Sequence, residues 1–207
     1  MSSNIIKTIF FDIGGVLIDI HPDKTYQYLG DSANIEKKHV IDNFPIKAHH
    51  SYEKGLINNN DWFLAVKESM PQPCCLKKAD FWRAWKLLLG EEKRTIEIIE
   101  KLRSKYSIWL LSNTNPKHIK DDLDKSYTFP KLVHGATYSF EVGSRKPEKE
   151  IYKIAMRIAG VEKANQSIFI DDLSENIVTA NSLGMNGIHY KSHKELEIEL
   201  LNLGISI

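Results

Sequence analysis

In the stretch IFFDIGGVLID, Ile9 to Asp19, an apolar run ends on one carboxylate and two glycines follow almost at once. A continuous apolar run of this length reads as a strand covered on both faces of a sheet. A buried strand that stops on Asp12 can hold a carboxylate rigidly at the sheet edge. Gly14 and Gly15 then leave the neighbouring backbone bare, so that a phosphate or a metal can approach it closely.

Two further apolar runs repeat the pattern. YSIWLLS (106–112) runs into Ser112, Asn113 and Thr114, and QSIFIDD (166–172) ends in Asp171 and Asp172. MNGIHY (185–190) offers another strand. Helical patterns separate these runs: RTIEIIEKLRSK (94–105), PEKEIYKIAMRIAG (147–160) with Gly160 as its stop, and SENIVTANSLG (174–184) with Ser174 as a cap. Alternation of this kind predicts an α/β fold, a Rossmann-like and mostly parallel sheet flanked by helices. The stretch from about 21 to 90 reads as helices, aromatics and polar turns, without a convincing strand. It predicts an all-helical cap inserted after the first strand. The expected division is a core of residues 1–18 and 90–207 and a cap of 19–89. The flexible joints fall near Ile18–Pro22 and Leu89–Glu91.

Composition excludes several classes. The 207 residues carry a net charge of +1, which leaves no electrostatic footprint for nucleic acid or an anionic membrane. No segment nears the roughly 18 apolar residues of a membrane span. The two cysteines, Cys74 and Cys75, are adjacent and make a poor disulfide, which suits a reducing compartment. The N-terminus lacks a signal-peptide pattern. A cytoplasmic protein without an obligate protein partner is expected.

If the strands are parallel neighbours, their ends converge on a nucleophile (Asp12), a hydroxyl and amide pair (Ser112, Asn113), a cation (Lys146 in GSRKPE) and an acidic pair (Asp171, Asp172). That inventory suits phosphoryl transfer from a small phosphate ester. Asp12 can attack phosphorus, Lys146 can neutralise developing charge, and Asp12 with Asp172 can hold Mg2+, which prefers hard oxygen ligands. Each piece has an ordinary reading too: a turn aspartate, a Gly-Gly turn, a helix cap, an exposed lysine, helix N-terminal acids. Their order and shared position at strand ends favour the chemical reading.

FDIGGVLID, LLSNTN, RKPE and FIDDLSENI resemble the four ordered motifs of the haloacid dehalogenase-like hydrolases. The likeness runs over nearly the whole chain and is greatest to the cytoplasmic sugar-phosphate phosphatases of the α-D-glucose-1-phosphate phosphatase type. The phosphatase domain of soluble epoxide hydrolase is a more distant likeness. The resemblance implies Asp12 as nucleophile and magnesium ligand, the Gly14 carbonyl as a second ligand and Asp172 as a third. It implies Ser112 and Asn113 as phosphate binders and Lys146 as the cation. Asp171 would stand behind the metal, orienting a bound water or Lys146, with Asn176 orienting the acidic pair.

Most phosphatases of that family carry an acid where this chain has Gly14. A missing general acid costs roughly 10²–10⁴ in rate. A phosphatase that favours good leaving groups, such as anomeric sugar phosphates, is therefore expected, with the acid drawn from water or from the cap; His21 at the cap entry is one candidate. A non-catalytic regulatory protein and a metal-independent dehalogenase are the alternatives. In the cap, Trp62, Phe63, Phe81, Trp82 and Trp85 read mainly as core. His49, His50, Tyr52 and Glu53 read as a solvated or cap-facing segment.

Overall fold

The structure, a computed structural model, describes residues 5–207. Residues 1–4, which open the expected core segment, lie outside the described residues. The chain begins with strand β1 (Thr8–Phe11) and a short β2 (Ile18–Ile20). Five helices follow: α1 (Pro22–Ala33), α2 (Lys37–Asp42), α3 (Ile46–Glu53), α4 (Asn59–Ser69) and α5 (Lys78–Lys86). Then come β3 (Leu89–Glu92), α6 (Ile96–Leu102) and β4 (Ser107–Ser112). A π-helical stretch, His118–Leu123, leads into α7 (Asp124–Ser126). The chain finishes with β5 (Gly135–Tyr138), α8 (Ser139–Val142), α9 (Lys149–Ile158), β6 (Ser167–Asp171), α10 (Ser174–Ser182), β7 (Asn186–His189) and α11 (His193–Asn202).

Five strands form one parallel sheet in the order β5-β4-β1-β6-β7. β1 is central because its side chains are apolar on both faces. Ile9 and Phe11 pack with Ile108, Leu110, Ile168 and Ile170 on one side, against α6 and α11. Phe10 turns the other way, with Leu111 and Phe169, against α9 and α10. Each fully buried side chain of this kind contributes roughly 1.5–3 kcal/mol. The chain leaves β1 for β4 and β5 on one side and returns to β6 and β7 on the other. That reversal opens a crevice beyond the carboxyl ends of the central strands. The register pairs Phe11 with both Leu110 and Ile170, so the residues that follow reach the crevice at one level.

The helices α1–α5 gather a second apolar cluster around Trp62, Phe81, Trp85 and Tyr52. Trp62 is the hub, with Tyr52 stacked on it at 5.5 Å and Trp85 edge-on at 5.2 Å. The packing role expected of the aromatics holds: Trp62, Phe63, Phe81 and Trp85 are buried, and Trp82, partly buried, packs edge-on against Phe81 at 4.7 Å with Lys117 over its ring.

Three expectations need correction. The region from 21 to 90 does contain strand at its end. β2 and β3 pair antiparallel, Ile18 with Glu92 and Ile20 with Leu89, so the two expected joints are zipped to each other. The zipper is extended by His21 N–H to the Leu88 carbonyl at 2.8 Å and Lys93 N–H to the Leu17 carbonyl at 2.7 Å. The edge strand β5 was not foreseen, because HGATY is too short and too glycine-containing to stand out. Ser174 is the first helical residue of α10 rather than its cap; the Asp171 carboxylate accepts from the Leu173 N–H at 2.8 Å in the cap's place. Among the described residues, no helix is long and apolar enough to cross a membrane.

Candidate active site

Beyond the sheet's carboxyl edge lies a cavity of about 350 Å³, walled by strand ends on one side and by helices α1, α3 and α5 on the other. Asp12, Gly14, Ser112, Asn113, Lys146, Asp172 and Asn176 all line it. Asp12 follows β1 directly, and its N–H donates to the Ile170 carbonyl at 2.9 Å, which fixes its backbone.

Lys146 is the hub of the polar side. Only 1% exposed, its ammonium donates to Asp12 Oδ1 at 2.8 Å and to Asp171 Oδ2 at 2.6 Å. Its position is set by Asn113, whose amide grips the Lys146 peptide from both ends: Lys146 N–H to Oδ1 at 2.7 Å, Nδ2–H to the carbonyl at 2.9 Å. The Asn113 side chain thus acts on Lys146, a use that its place in LLSNTN does not reveal. Asn176 donates from Nδ2 to both oxygens of Asp171, at 2.9 and 3.0 Å. With Lys146 and the Leu173 N–H, these contacts occupy Asp171.

The glycines divide differently from the sequence expectation. Gly14 lines the cavity, but Gly15 is not among its walls. Gly15 sits at φ +74°, and a Cβ there would lie 2.2 Å from Asp172 Oδ2. Its bareness makes room for the Asp172 carboxylate, and its N–H is given to the Ile18 carbonyl at 2.9 Å. At Gly14 an added Cβ would meet only the Ile20 Cγ2 methyl, at 3.3 Å.

Asp12, Asp171 and Asp172 bring carboxylate oxygens within 4.8 Å of one another. With one ammonium among three carboxylates, full ionisation would leave two negative charges in excess. Burial pushes Asp12 up to about 7, with Lys146 opposing and Asp171 adding to the rise. Burial, then Asp171, raises Asp172 as well. Burial alone would drag Lys146 down, but Asp12 and Asp171 together hold it above its ordinary value, so it keeps its proton. A divalent cation would neutralise this excess, and carboxylate oxygens are the donors that magnesium prefers. Since Asp171 is already engaged, Asp12 and Asp172 are the carboxylates left to hold one.

The family model of the haloacid dehalogenase-like hydrolases matches residues 6–184. The chain belongs to that family. A D-ribitol-5-phosphate phosphatase of Bacteroides thetaiotaomicron is 27% identical to this hydrolase, over 86% of the chain and 89% of the relative. A sesquiterpene phosphatase of Aspergillus oryzae is 25% identical over 95% and 96%. A B. thetaiotaomicron enzyme of the same family, solved with magnesium and inorganic phosphate, superposes on this hydrolase with a TM-score of 0.79 at 26% identity. The match covers 91% of this chain and 96% of that one.

Several residues of this hydrolase's cavity carry no motif. His21 is not among the walls; it lines an outer cleft with Asp19, Lys24 and Tyr28. Tyr52 and Glu53 are buried rather than solvated, and His49 and Glu53 line the cavity. Arg145, Asn115 and His118 line it too; Arg145 and Asn115 flank the motif residues Lys146 and Asn113, while His118 lies beyond LLSNTN. Lys93 donates to the Gly15 carbonyl at 2.8 Å from 78 residues away, and nothing local could have signalled it.

His118 ties the loop after β4 to the last cap helix. Its Nε2 faces the Trp85 carbonyl at 2.9 Å, and its Nδ1 faces Asn115 Nδ2 at 3.1 Å. That pairing fits a neutral ring donating from Nε2, stacked on the Trp85 indole at 5.3 Å. Burial lowers its pKa to about 4. Between about pH 6.5 and 4 the unfolded chain therefore takes up a proton that folded His118 does not. Stability falls as pH falls through this window, by up to about 1.4 kcal/mol per pH unit. Urea unfolding from about pH 7 to about pH 4.5 should show a steeper loss for the wild type than for His118→Gln. Equal slopes would mean that the ring charges freely in the folded state.

Proposed function

We propose that this hydrolase is a magnesium-dependent phosphatase of small phosphate monoesters, sugar phosphates foremost, working through an aspartyl-phosphate on Asp12. The observation that carries the reading is a buried strand-end carboxylate facing a cavity, 2.8 Å from an ammonium that a second carboxylate holds in place. Asp12 Oδ attacks phosphorus, the new O–P bond forms, and the ester P–O bond breaks. The alkoxide leaves and takes a proton from water. A water then attacks the same phosphorus, releasing inorganic phosphate and restoring the Asp12 carboxylate. Lys146 balances charge on the phosphoryl oxygens, and Ser112 donates a hydrogen bond to one of them. Asp12, Asp172 and the Gly14 carbonyl would hold the magnesium ion, which supplies further charge neutralisation when bound. Asp171, oriented by Asn176, keeps Lys146 charged and aimed.

The helices of residues 19–89 serve as the cap over a core of 1–18 and 90–207. The named activities of the two curated relatives, and the magnesium and phosphate bound by the structural neighbour, support the phosphatase reading. Because Gly14 brings no acid, esters whose alcohol leaves without help, such as anomeric phosphates, are the better substrates.

A panel of hexose 1-phosphates, a pentitol phosphate and a terpenyl phosphate, assayed with and without magnesium, tests this. Magnesium-dependent phosphate release from a sugar or sugar-alcohol ester is expected. Absence of release from every ester by folded protein would overturn the reading. Run on Gly14→Asp, the same panel should show gains on primary-alcohol esters, since the Ile20 methyl is the one near neighbour that must yield. A uniform loss would mean that the space at Gly14 is itself required.

A further inference from the structure

The cavity wall opposite the strand ends holds an ion pair that the hydrolytic steps do not use. Arg145 Nε donates to Glu53 Oε2 at 2.8 Å, with side chains 20% and 10% exposed. Both residues line the same cavity as Asp12. They come from opposite sides: Glu53 ends helix α3, and Arg145 directly precedes Lys146. Because Asn113 clamps the Lys146 peptide, Arg145 is fixed in the frame of the nucleophile.

A largely buried ion pair adds little stability, because desolvation offsets the attraction. Placed in a cavity wall, it is better suited to meeting a ligand. A guanidinium has five N–H donors, and among the described residues only Glu53 accepts from it through a side chain. The same cavity is lined by Trp85, 3% exposed, whose Nε1–H has no acceptor and whose ring lies 5.6 Å from that of His49. His49 Nε2 lies 3.8 Å from Glu53 Oε1. The cavity therefore presents donors and acceptors, with apolar Phe44, Ile20 and Leu88 also in its lining.

We infer that Glu53 and Arg145 form a specificity-determining pair that reads hydroxyl groups on the alcohol portion of the ester. This rests on the phosphatase reading and narrows its substrate class to polyhydroxylated alcohols. Adjacent hydroxyls both donate and accept, and they satisfy such a wall while the ring or chain carbons lie on the apolar part. A purely apolar alcohol displaces water from the same groups and leaves them unpaired, which disfavours it.

The test compares a hexose 1-phosphate and a pentitol phosphate with phenyl phosphate, which has no hydroxyl on its alcohol side. Glu53→Gln is measured beside the double variant Glu53→Met/Arg145→Met, which removes both charges together and avoids stranding one. The expected result is a fall of about 10–100-fold in the ratio of kcat/KM for the better hydroxylated ester over phenyl phosphate, carried mainly by KM. An unchanged ratio, with both esters losing rate together, would make the pair a clamp between cap and core and overturn the inference. A wild type that prefers the terpenyl ester, whose primary alcohol leaves no more easily than a pentitol, would overturn it too. A wild type silent on every ester would overturn the phosphatase reading, and the inference with it.

Discussion

Replacing Asp12 with asparagine is expected to lower kcat by at least about 10⁴-fold while leaving the fold intact. An amide cannot attack phosphorus to give an acyl-phosphate, and it is a poor ligand for magnesium. The fold should survive because Lys146 keeps its shorter contact, to Asp171 at 2.6 Å. Burial of Asp12 also opposes its ionisation, so a neutral isostere relieves a cost rather than adding one. Thermal melting of the metal-free variant should match or exceed that of the wild type. Phosphate release, and mass spectrometry of protein quenched during turnover, give the two readouts. Wild-type rates in Asp12→Asn would remove the aspartyl-phosphate route.

Lys146→Met is the second large effect, and it acts on stability as well as on rate. The substitution leaves Asp12 and the fully buried Asp171 facing each other without a cation. Breaking a buried pair by removing one partner costs about 3–5 kcal/mol. Urea unfolding in the presence of a chelator should show a loss of that order. Adding Asp171→Asn to Lys146→Met should restore much of the stability, because the repulsion is then gone. It should not restore turnover, because no cation faces the phosphoryl oxygens. A single variant as stable as the wild type would mean that the ammonium does not neutralise the two carboxylates together.

The strand ends were legible because the chemistry sits where an apolar pattern stops. A run covered on both faces can expose polar groups only at its end, so Asp12, Ser112 and Asp171-Asp172 stand out from their own neighbours. Gly14 was legible for the same reason. Gly15 was visible as a glycine, but the object it makes room for, Asp172, is 157 positions away. His21 looked well placed because it opens the cap, yet the pairing of β2 with β3 turns it to the outer cleft. Arg145 was hidden beside Lys146, since a second basic residue before a helix reads as an exposed side chain. Its meaning depends on Glu53, 92 positions earlier.

By itself, the sequence determined the α/β class, the helical insert and the set of groups that meet at the sheet edge. Each of these follows from local periodicity or from where that periodicity ends. Only the tertiary structure decided that Lys146 holds Asp12 and Asp171 together, that Asn113 clamps the Lys146 peptide, and which glycine serves which neighbour. Those outcomes turn on contacts of 2.6 to 2.9 Å between distant segments. Side chains reach that precision through packing of the whole core, and no stretch of sequence encodes it alone.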